Sequence, residues 1–243
     1  MKLLLSGEGA SDLGACGNAQ GWCDGADFRI GPMTVVLSQL AEVQLGYTLL
    51  DTPDSLHYIS ETALCEQEKA RPVRLRPARS KKQGVETAYY YGNAFMLGHL
   101  AQALATESEE HVLAVLFRDN DGTRSSVGSL WDDKWKSMED GFARSGFAHG
   151  VPMLPKPKSE AWLLCNALPH ARSYANLEDI SGNDDSPKSA KSQLKNALGH
   201  DCTREELCDW LLQKPLDTVR AMSMPSFKKF KEALEAALKQ VLH

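Results

Sequence analysis

The chain has 243 residues, 42% of them hydrophobic and 24% charged, which is typical of a globular protein with one large domain or one large domain and a smaller appendage. Its formal net charge of −5 argues against general binding of polyanions over the whole surface. Only three leucines follow Lys2 before Ser6, too few for a secretory signal, and no run of residues is long and apolar enough to span a membrane. We therefore expect a cytoplasmic protein with no membrane partner.

The first 155 residues alternate between apolar runs of strand length and longer runs with helical spacing. This alternation predicts an α/β fold with a mostly parallel sheet flanked by helices. In chain order the predicted elements are a strand at 2–5, a helix from Pro32, a strand at 56–60, a helix at 87–105, a strand at 111–117, a helix at 129–147, a strand at 150–155, and a helix with Ser159 as its N-cap. The glycine-rich stretch at 14–32 is predicted to be a loop.

The remaining residues have a different character. A polar stretch at 181–189 predicts a turn or linker, and the segments after it have the apolar spacing of helices. Thr203 and Glu206 have the spacing of a capping box, and Pro225 with Ser226 marks another helix start. We predict two parts, an α/β domain at 1–165 and an α-helical C-terminal part at 166–243.

Acidic residues follow two of the predicted strands. The first strand leads through a glycine turn to Glu8 and Asp12, and the strand at 111–117 leads to Asp119 and Asp121. Because the carboxyl ends of parallel strands line the ligand crevice of an open sheet, these carboxylates are expected to converge if the two strands are neighbours. Bound divalent cations relieve the repulsion within such a cluster, and its oxygen ligands suit Mg²⁺.

A second interpretation of the acids stays open. Asp-Asn-Asp-Gly is also a common turn sequence, and an aspartate after a strand can simply cap a helix. Because acids follow both apolar strands, the pattern favours a metal site over two unrelated turns.

The two acidic motifs also resemble those of a known family. GEGASD at 7–12 matches the pattern E-G-x-x-D, and RDNDG at 118–122 matches D-x-D-G, both of the Toprim domain shared by topoisomerases, bacterial primases and small nucleases. With KSEAWLL at 158–164, the chain looks most like the branch that contains the overcoming-lysogenisation-defect (OLD) nucleases and related small bacterial proteins, some linked to antiviral defence. The resemblance covers residues 1–165 and implies a Rossmann-like Toprim fold.

What the resemblance implies for chemistry is a nuclease that depends on Mg²⁺ or Mn²⁺. Its implied ligands form two sets, which are Glu8, Asp119 and Asp121 for one ion and Asp12, Ser159 and Glu160 for a second. Two ions that share one phosphodiester can stabilise both the attacking and the leaving oxygen. Lys188 is the expected catalytic lysine, ahead of Lys156 and Lys158. We expect Lys158 to position the substrate.

Basic residues are concentrated in one segment. KARPVRLRPARSKK at 69–82 has seven basic residues and no acid, and its two prolines predict an extended or looped conformation. A solvated surface loop is the alternative. The residues that we expect to contact nucleic acid are Arg71, Arg74, Arg76, Arg79, Lys81, Lys82 and Lys158.

The six cysteines show no paired framework, and we expect them to be reduced. Cys16 and Cys23 could be combined with His57 or Cys65 into a zinc site. The two cysteines are, however, farther apart in the sequence than the closely spaced pairs usual in zinc sites. The loop at 14–32 has two open interpretations, contact with a substrate or partner and an apolar plug.

The leading functional hypothesis is a metal-dependent nuclease, with DNA favoured over RNA. The alternatives are a non-catalytic nucleic-acid or partner-binding module of the same fold and a phosphoesterase of small molecules. The basic segment favours a polymeric substrate, and the set of acids favours catalysis. The sequence lacks the GxxxxGK phosphate loop, so a partner ATPase would be a separate protein. A second copy of the chain, in a homo-oligomer, is the other protein partner considered.

Overall fold

The computed structural model describes residues 1–18, 20–70, 84–120, 129–168 and 173–242. The strands within these ranges are β1 (Lys2–Gly7), β2 (Gly14–Cys16), β3 (Trp22–Asp24), β4 (Phe28–Ile30), β5 (Leu56–Ser60), β6 (Val112–Phe117) and β7 (Gly150–Met153). The α-helices are α1 (Pro32–Leu45), α2 (Glu61–Ala70), α3 (Gly84–Ser108), α4 (Ser129–Ser145), α5 (Ser159–Ala167), α6 (Ala190–Leu198), α7 (Arg204–Gln213), α8 (Thr218–Ala221) and α9 (Pro225–Leu242).

The main sheet has five strands in the order β3-β5-β1-β6-β7. Its four longer strands, β5, β1, β6 and β7, are parallel, while the short β3 runs antiparallel to β5 at one edge. Helices flank this sheet, so the predicted α/β fold with a mostly parallel sheet is confirmed. Among the described residues, no helix combines the length and the apolar character that a membrane span requires.

The central strands are apolar because both of their faces are covered. All six residues of β6 are buried, and α3 and α9 both pack against this strand. A strand covered in this way carries apolar side chains at successive positions rather than at alternate ones. The apolar runs in the sequence therefore located β1 and β6 correctly.

The segment at 14–32 is not the simple loop that we predicted. It contains β2 and β4, which pair with each other, and β3, which joins the main sheet beside β5. Cys16 at the end of β2 and Cys23 in β3 form a disulfide with their Cα atoms 5.6 Å apart. The expectation that all six cysteines are reduced is therefore wrong, and these two thiols are not available as zinc ligands.

One helix was not predicted, and one helix start needs correction. Helix α2 was not predicted, because its sequence ETALCEQEKA is largely polar and buries only Leu64. Ser159 is the first residue of α5 rather than its N-cap, a position held by Lys158. The Ser159 side chain contacts an acidic residue instead of the helix backbone.

The C-terminal helices share an apolar core with the sheet. Trp162 of α5 is fully buried, and its ring stacks on Phe230 and meets the edge of Phe227, with centroid separations of 5.5 and 5.2 Å. Its indole Nε1 donates a hydrogen bond of 2.9 Å to Ser226 Oγ. Helix α9 is thereby fixed against α5. The predicted capping box of Thr203 and Glu206 at the start of α7 is confirmed.

Candidate active site

The two acidic motifs meet at the carboxyl edge of the sheet. Strands β1 and β6 are parallel neighbours, and Gly7 lies beside Phe117 in their register. Glu8 follows the first strand directly, and Asp119 lies two residues beyond the second. The backbone N–H of Asp119 donates a hydrogen bond to Glu8 Oε1. Residues 111 positions apart in the sequence are thus in direct contact.

Asp12 is turned toward the same edge by the glycine turn after β1. Gly9 has a φ of +70°, a left-handed conformation that glycine adopts readily. The Asp12 carbonyl accepts a hydrogen bond of 2.9 Å from the N–H of Met33 in the first turn of α1. This contact fixes the backbone that carries the carboxylate.

Ser159 joins the two acidic motifs. Its hydroxyl donates to Asp12 Oδ1, and its backbone N–H donates to Asp119 Oδ1 at 3.0 Å. Ser159 is only 1% exposed, and it lies in the first turn of α5, where free N–H groups and the helix dipole favour negative charge. The start of α5 therefore holds both carboxylates in place.

Glu160, the next residue, lies in the same cluster. Its Oε2 atom is buried and has no hydrogen-bond partner among the described residues. A buried carboxylate oxygen without a partner is costly, and a bound ion or water at that position would remove the cost. Glu160 therefore has a free ligand atom inside the protein.

Burial and mutual repulsion change the acidity of this cluster. Burial raises the pKa of Asp119 well above its usual value, and the nearby charges of Asp12, Glu160 and Glu8 raise it further. Burial also raises the pKa of Glu160, with Asp12 adding to the effect. A cation in the cluster would oppose both shifts, because it favours the ionised forms.

The donor set suits a hydrated ion better than an ion held by protein atoms alone. Within the described residues, no three of these carboxylates bring one oxygen each within 4.8 Å of one another. Mg²⁺ commonly keeps several waters and uses one or two carboxylates, with substrate phosphates completing its shell. The cluster fits this mode of binding, in which different carboxylates contact the ion directly or through water.

A pocket of about 140 Å³ opens beside Asp12, Ser159 and Glu160. Its apolar walls are formed by Pro32, Leu163, Leu194, Leu198 and Leu207. Its basic side chains are Lys191 and Lys195 of α6 and Arg204 of α7. We did not predict these three residues, although the i, i+4 spacing of the two lysines places them on one helix face.

A buried aromatic side chain and a buried lysine lie behind Asp119. The Tyr90 hydroxyl donates a hydrogen bond of 3.3 Å to the Asp119 carbonyl oxygen. Lys134 is 1% exposed, and its ammonium lies 5.2 Å from the centroid of the Tyr90 ring. Tyr90, the middle tyrosine of AYYYG, therefore anchors the backbone of Asp119 to α3. The sequence did not indicate this role.

The predicted lysines lie in different surroundings. Lys158 Nζ forms an ion pair of 3.1 Å with Asp184, and Lys156 Nζ lies 4.0 Å from Asp179. Lys188 is exposed in the turn before α6 and does not line the pocket. Asp121 and the predicted nucleic-acid residues Arg71, Arg74, Arg76, Arg79, Lys81 and Lys82 lie outside the described residues.

Comparison with known proteins adds no assignment. No protein-family model, curated protein or solved structure matches the chain.

The raised pKa of Asp119 predicts how stability changes with pH in protein freed of metal by chelation. The folded state binds the Asp119 proton more tightly than the unfolded state does, and this proton stabilises the fold. The stabilisation is fully present below the ordinary pKa of 3.8 and is lost as pH rises through the higher pKa of the folded protein. We expect the melting temperature of Asp119→Asn, relative to that of the wild type, to increase as pH rises from about 4 to neutrality. Melting curves of both proteins in EDTA measure this difference. A constant difference across the range would contradict the assignment.

Proposed function

We propose that the chain is a metal-dependent phosphodiesterase and that it acts as a nuclease, with DNA as the favoured substrate and RNA as the second. The observation that carries the proposal is the junction at Ser159, which holds Asp12 and Asp119 together beside the unpartnered buried oxygen of Glu160. A structural turn or a helix cap does not require that three separate chain segments bring four acids to one edge of the sheet. The resemblance of the two acidic motifs to Toprim nucleases supports the same conclusion.

Mg²⁺ or Mn²⁺ is the proposed cofactor. The described residues that would hold it are Glu8, Asp12, Asp119 and Glu160. When bound, the ion supplies Lewis-acid stabilisation of the negative charge that develops on the phosphate during hydrolysis.

The protein groups around the cluster have separate tasks. Ser159 orients Asp12 and Asp119 through its hydroxyl and its backbone N–H, so both carboxylates are in position before substrate binds. Lys191 and Lys195 line the same pocket as Asp12 and Glu160, and we expect them to contact a phosphate of a substrate bound there. We expect the leucines that line this pocket to limit the access of water to the part of the substrate bound there.

Two properties of the chain bear on the substrate. The basic segment at 69–82 favours a nucleic-acid polymer, whose phosphates attract lysine and arginine irrespective of sequence. The pocket of about 140 Å³ is a bounded space with apolar walls, which favours the second candidate function, hydrolysis of a small phosphoester. A separate ATPase partner and a role in antiviral defence belong to the nuclease proposal through the resemblance alone. A cytoplasmic location, which is the expectation from the sequence, is part of the same proposal.

Cleavage assays test the proposal directly. We expect purified protein to cut plasmid or single-stranded DNA with Mg²⁺ or Mn²⁺ and to lose this activity in EDTA. Glu160→Gln keeps the side-chain shape but removes the charge beside the ion, so we expect cleavage to fall by about 100-fold. Glu232→Gln, which changes an exposed ion pair on α9, is the matched control and should retain activity.

The substrate panel separates the candidate functions. It should include RNA and the small diester bis(p-nitrophenyl) phosphate. Cleavage of the small diester alone would favour the phosphoesterase. If no substrate is hydrolysed with either metal, while labelled DNA still binds, the chain is a binding module and the catalytic proposal is wrong.

A further inference from the structure

A second cluster of potential metal ligands lies at the pocket, whose lining includes His200 and Cys202. His200, Cys202 and Glu206 each offer one ligand atom, and the three atoms all lie within 4.8 Å of one another. Gly199 ends α6 in a left-handed conformation with a φ of +88°, and the chain then turns directly into α7. The three side chains therefore come from one short connection and the first turn of the next helix.

Two of the three separations between these ligand atoms fit a tetrahedral ion. Cys202 Sγ lies 3.5 Å from His200 Nε2, and that nitrogen lies 3.6 Å from Glu206 Oε1. Bonds of about 2.3 Å to sulfur and about 2.0–2.2 Å to nitrogen and oxygen, at tetrahedral angles, separate neighbouring ligand atoms by about 3.3–3.6 Å. The two measured distances therefore already have the lengths of tetrahedral edges.

The capping box of α7 orients the glutamate. Glu206 Oε2 accepts a hydrogen bond of 2.7 Å from the backbone N–H of Thr203, and the Thr203 hydroxyl accepts from the N–H of Glu206 at 3.2 Å. These bonds use one carboxylate oxygen and leave Oε1 on the side of His200. The orientation of this ligand is thus fixed by contacts that need no metal.

The charges around the thiol also suit a cation. The carboxylates of Glu206 and Asp201 lie near the Cys202 thiol. A bound dication stabilises a thiolate and offsets the two carboxylates. His200 and Glu206 are both more than half exposed, so an ion can reach the cluster from solvent.

We propose that His200, Cys202 and Glu206 form a site for one divalent ion of the zinc class, with a fourth coordination position open to solvent. A thiolate and an imidazole select such ions over Mg²⁺, whose preferred ligands are oxygens. His200 and Cys202 also line the pocket that contains Asp12 and Glu160. An ion at this site would hold the connection between α6 and α7 in place as a wall of that pocket.

Cobalt binding tests the site independently of any hydrolytic activity. Co²⁺ bound to a thiolate gives a charge-transfer band in the near ultraviolet, which ions held only by oxygen do not give. We expect the full-length protein to develop this band with one Co²⁺ per chain. Zn²⁺ should abolish the band, and excess Mg²⁺ should leave it unchanged.

Three variants assign the band to particular residues. Cys202→Ser should lose it, and His200→Ala should weaken Co²⁺ binding by at least about 10-fold. Cys65→Ser should retain the band, since Cys65 is a comparably accessible free cysteine whose Sγ contacts Tyr89 and Asn93 instead of other metal ligands. Circular dichroism of each variant checks that it is folded. The absence of a band in the wild type, or an equal band in Cys202→Ser, would overturn the proposal.

Discussion

Asp119→Asn should lower hydrolysis by about 100-fold or more while leaving the fold intact. Asparagine keeps the oxygen that accepts the Ser159 N–H bond, and the contact from the Asp119 N–H to Glu8 involves only the backbone. The substitution removes only the charge, which is buried and repelled by three neighbouring carboxylates. We therefore expect lost activity together with unchanged or higher stability of the metal-free protein at neutral pH.

The comparison protein is Asp140→Asn, which changes an exposed ion pair with Lys136 on α4. Both variants are assayed for cleavage in Mg²⁺ and for melting temperature in EDTA. Undiminished cleavage by Asp119→Asn would remove this residue from the proposed metal site. Equal losses of activity and of stability would show that Asp119 has a structural role instead.

Trp162→Ala should produce the largest loss of stability, about 3–5 kcal/mol, because a fully buried ring is removed from between two phenylalanines. For a chain of this size the melting temperature should fall by about 6–20 °C. Trp162 lies one turn after Ser159 and Glu160 in α5, so residual folded protein should also bind metal more weakly.

Trp162→Phe separates the two contributions. It keeps an aromatic ring between Phe227 and Phe230 but loses the hydrogen bond to Ser226, so the expected loss is about 1–2 kcal/mol. Denaturant unfolding of the three proteins measures the series. An alanine variant as stable as the phenylalanine variant would contradict the packing of α9 on α5.

The sheet was predictable because its strands are buried on both faces. The six consecutive apolar residues of β6 are a strong local signal, and the acids after β1 and β6 could be placed at one edge once the strands were taken as parallel. Strands β2, β3 and β4 have three residues each, and their formation depends on pairing partners elsewhere in the chain. A segment of that length carries too little periodicity to be identified from the sequence.

Only the site residues that belong to a sequence motif could be predicted. Glu8, Asp12 and Asp119 belong to short patterns after strands, and Ser159 with Glu160 belongs to the motif at 158–164. Lys191 and Tyr90 reach the site through the packing of α6 and α3, which no local pattern encodes. The disulfide of Cys16 and Cys23 was missed for the same reason, since only the fold brings β2 beside β3.

The sequence separation of the proposed ligands determines how ion binding and folding depend on each other. Glu8 and Asp119 are 111 positions apart, so the unfolded chain does not hold them together to bind an ion. Each tenfold rise in free Mg²⁺ above the dissociation constant should then stabilise the whole fold by about 1.4 kcal/mol. His200, Cys202 and Glu206 lie within seven residues, and an unfolded chain keeps part of its affinity there. Zinc therefore binds both the folded and the unfolded chain at that site. The same tenfold rise in zinc concentration should then raise the free energy of unfolding much less.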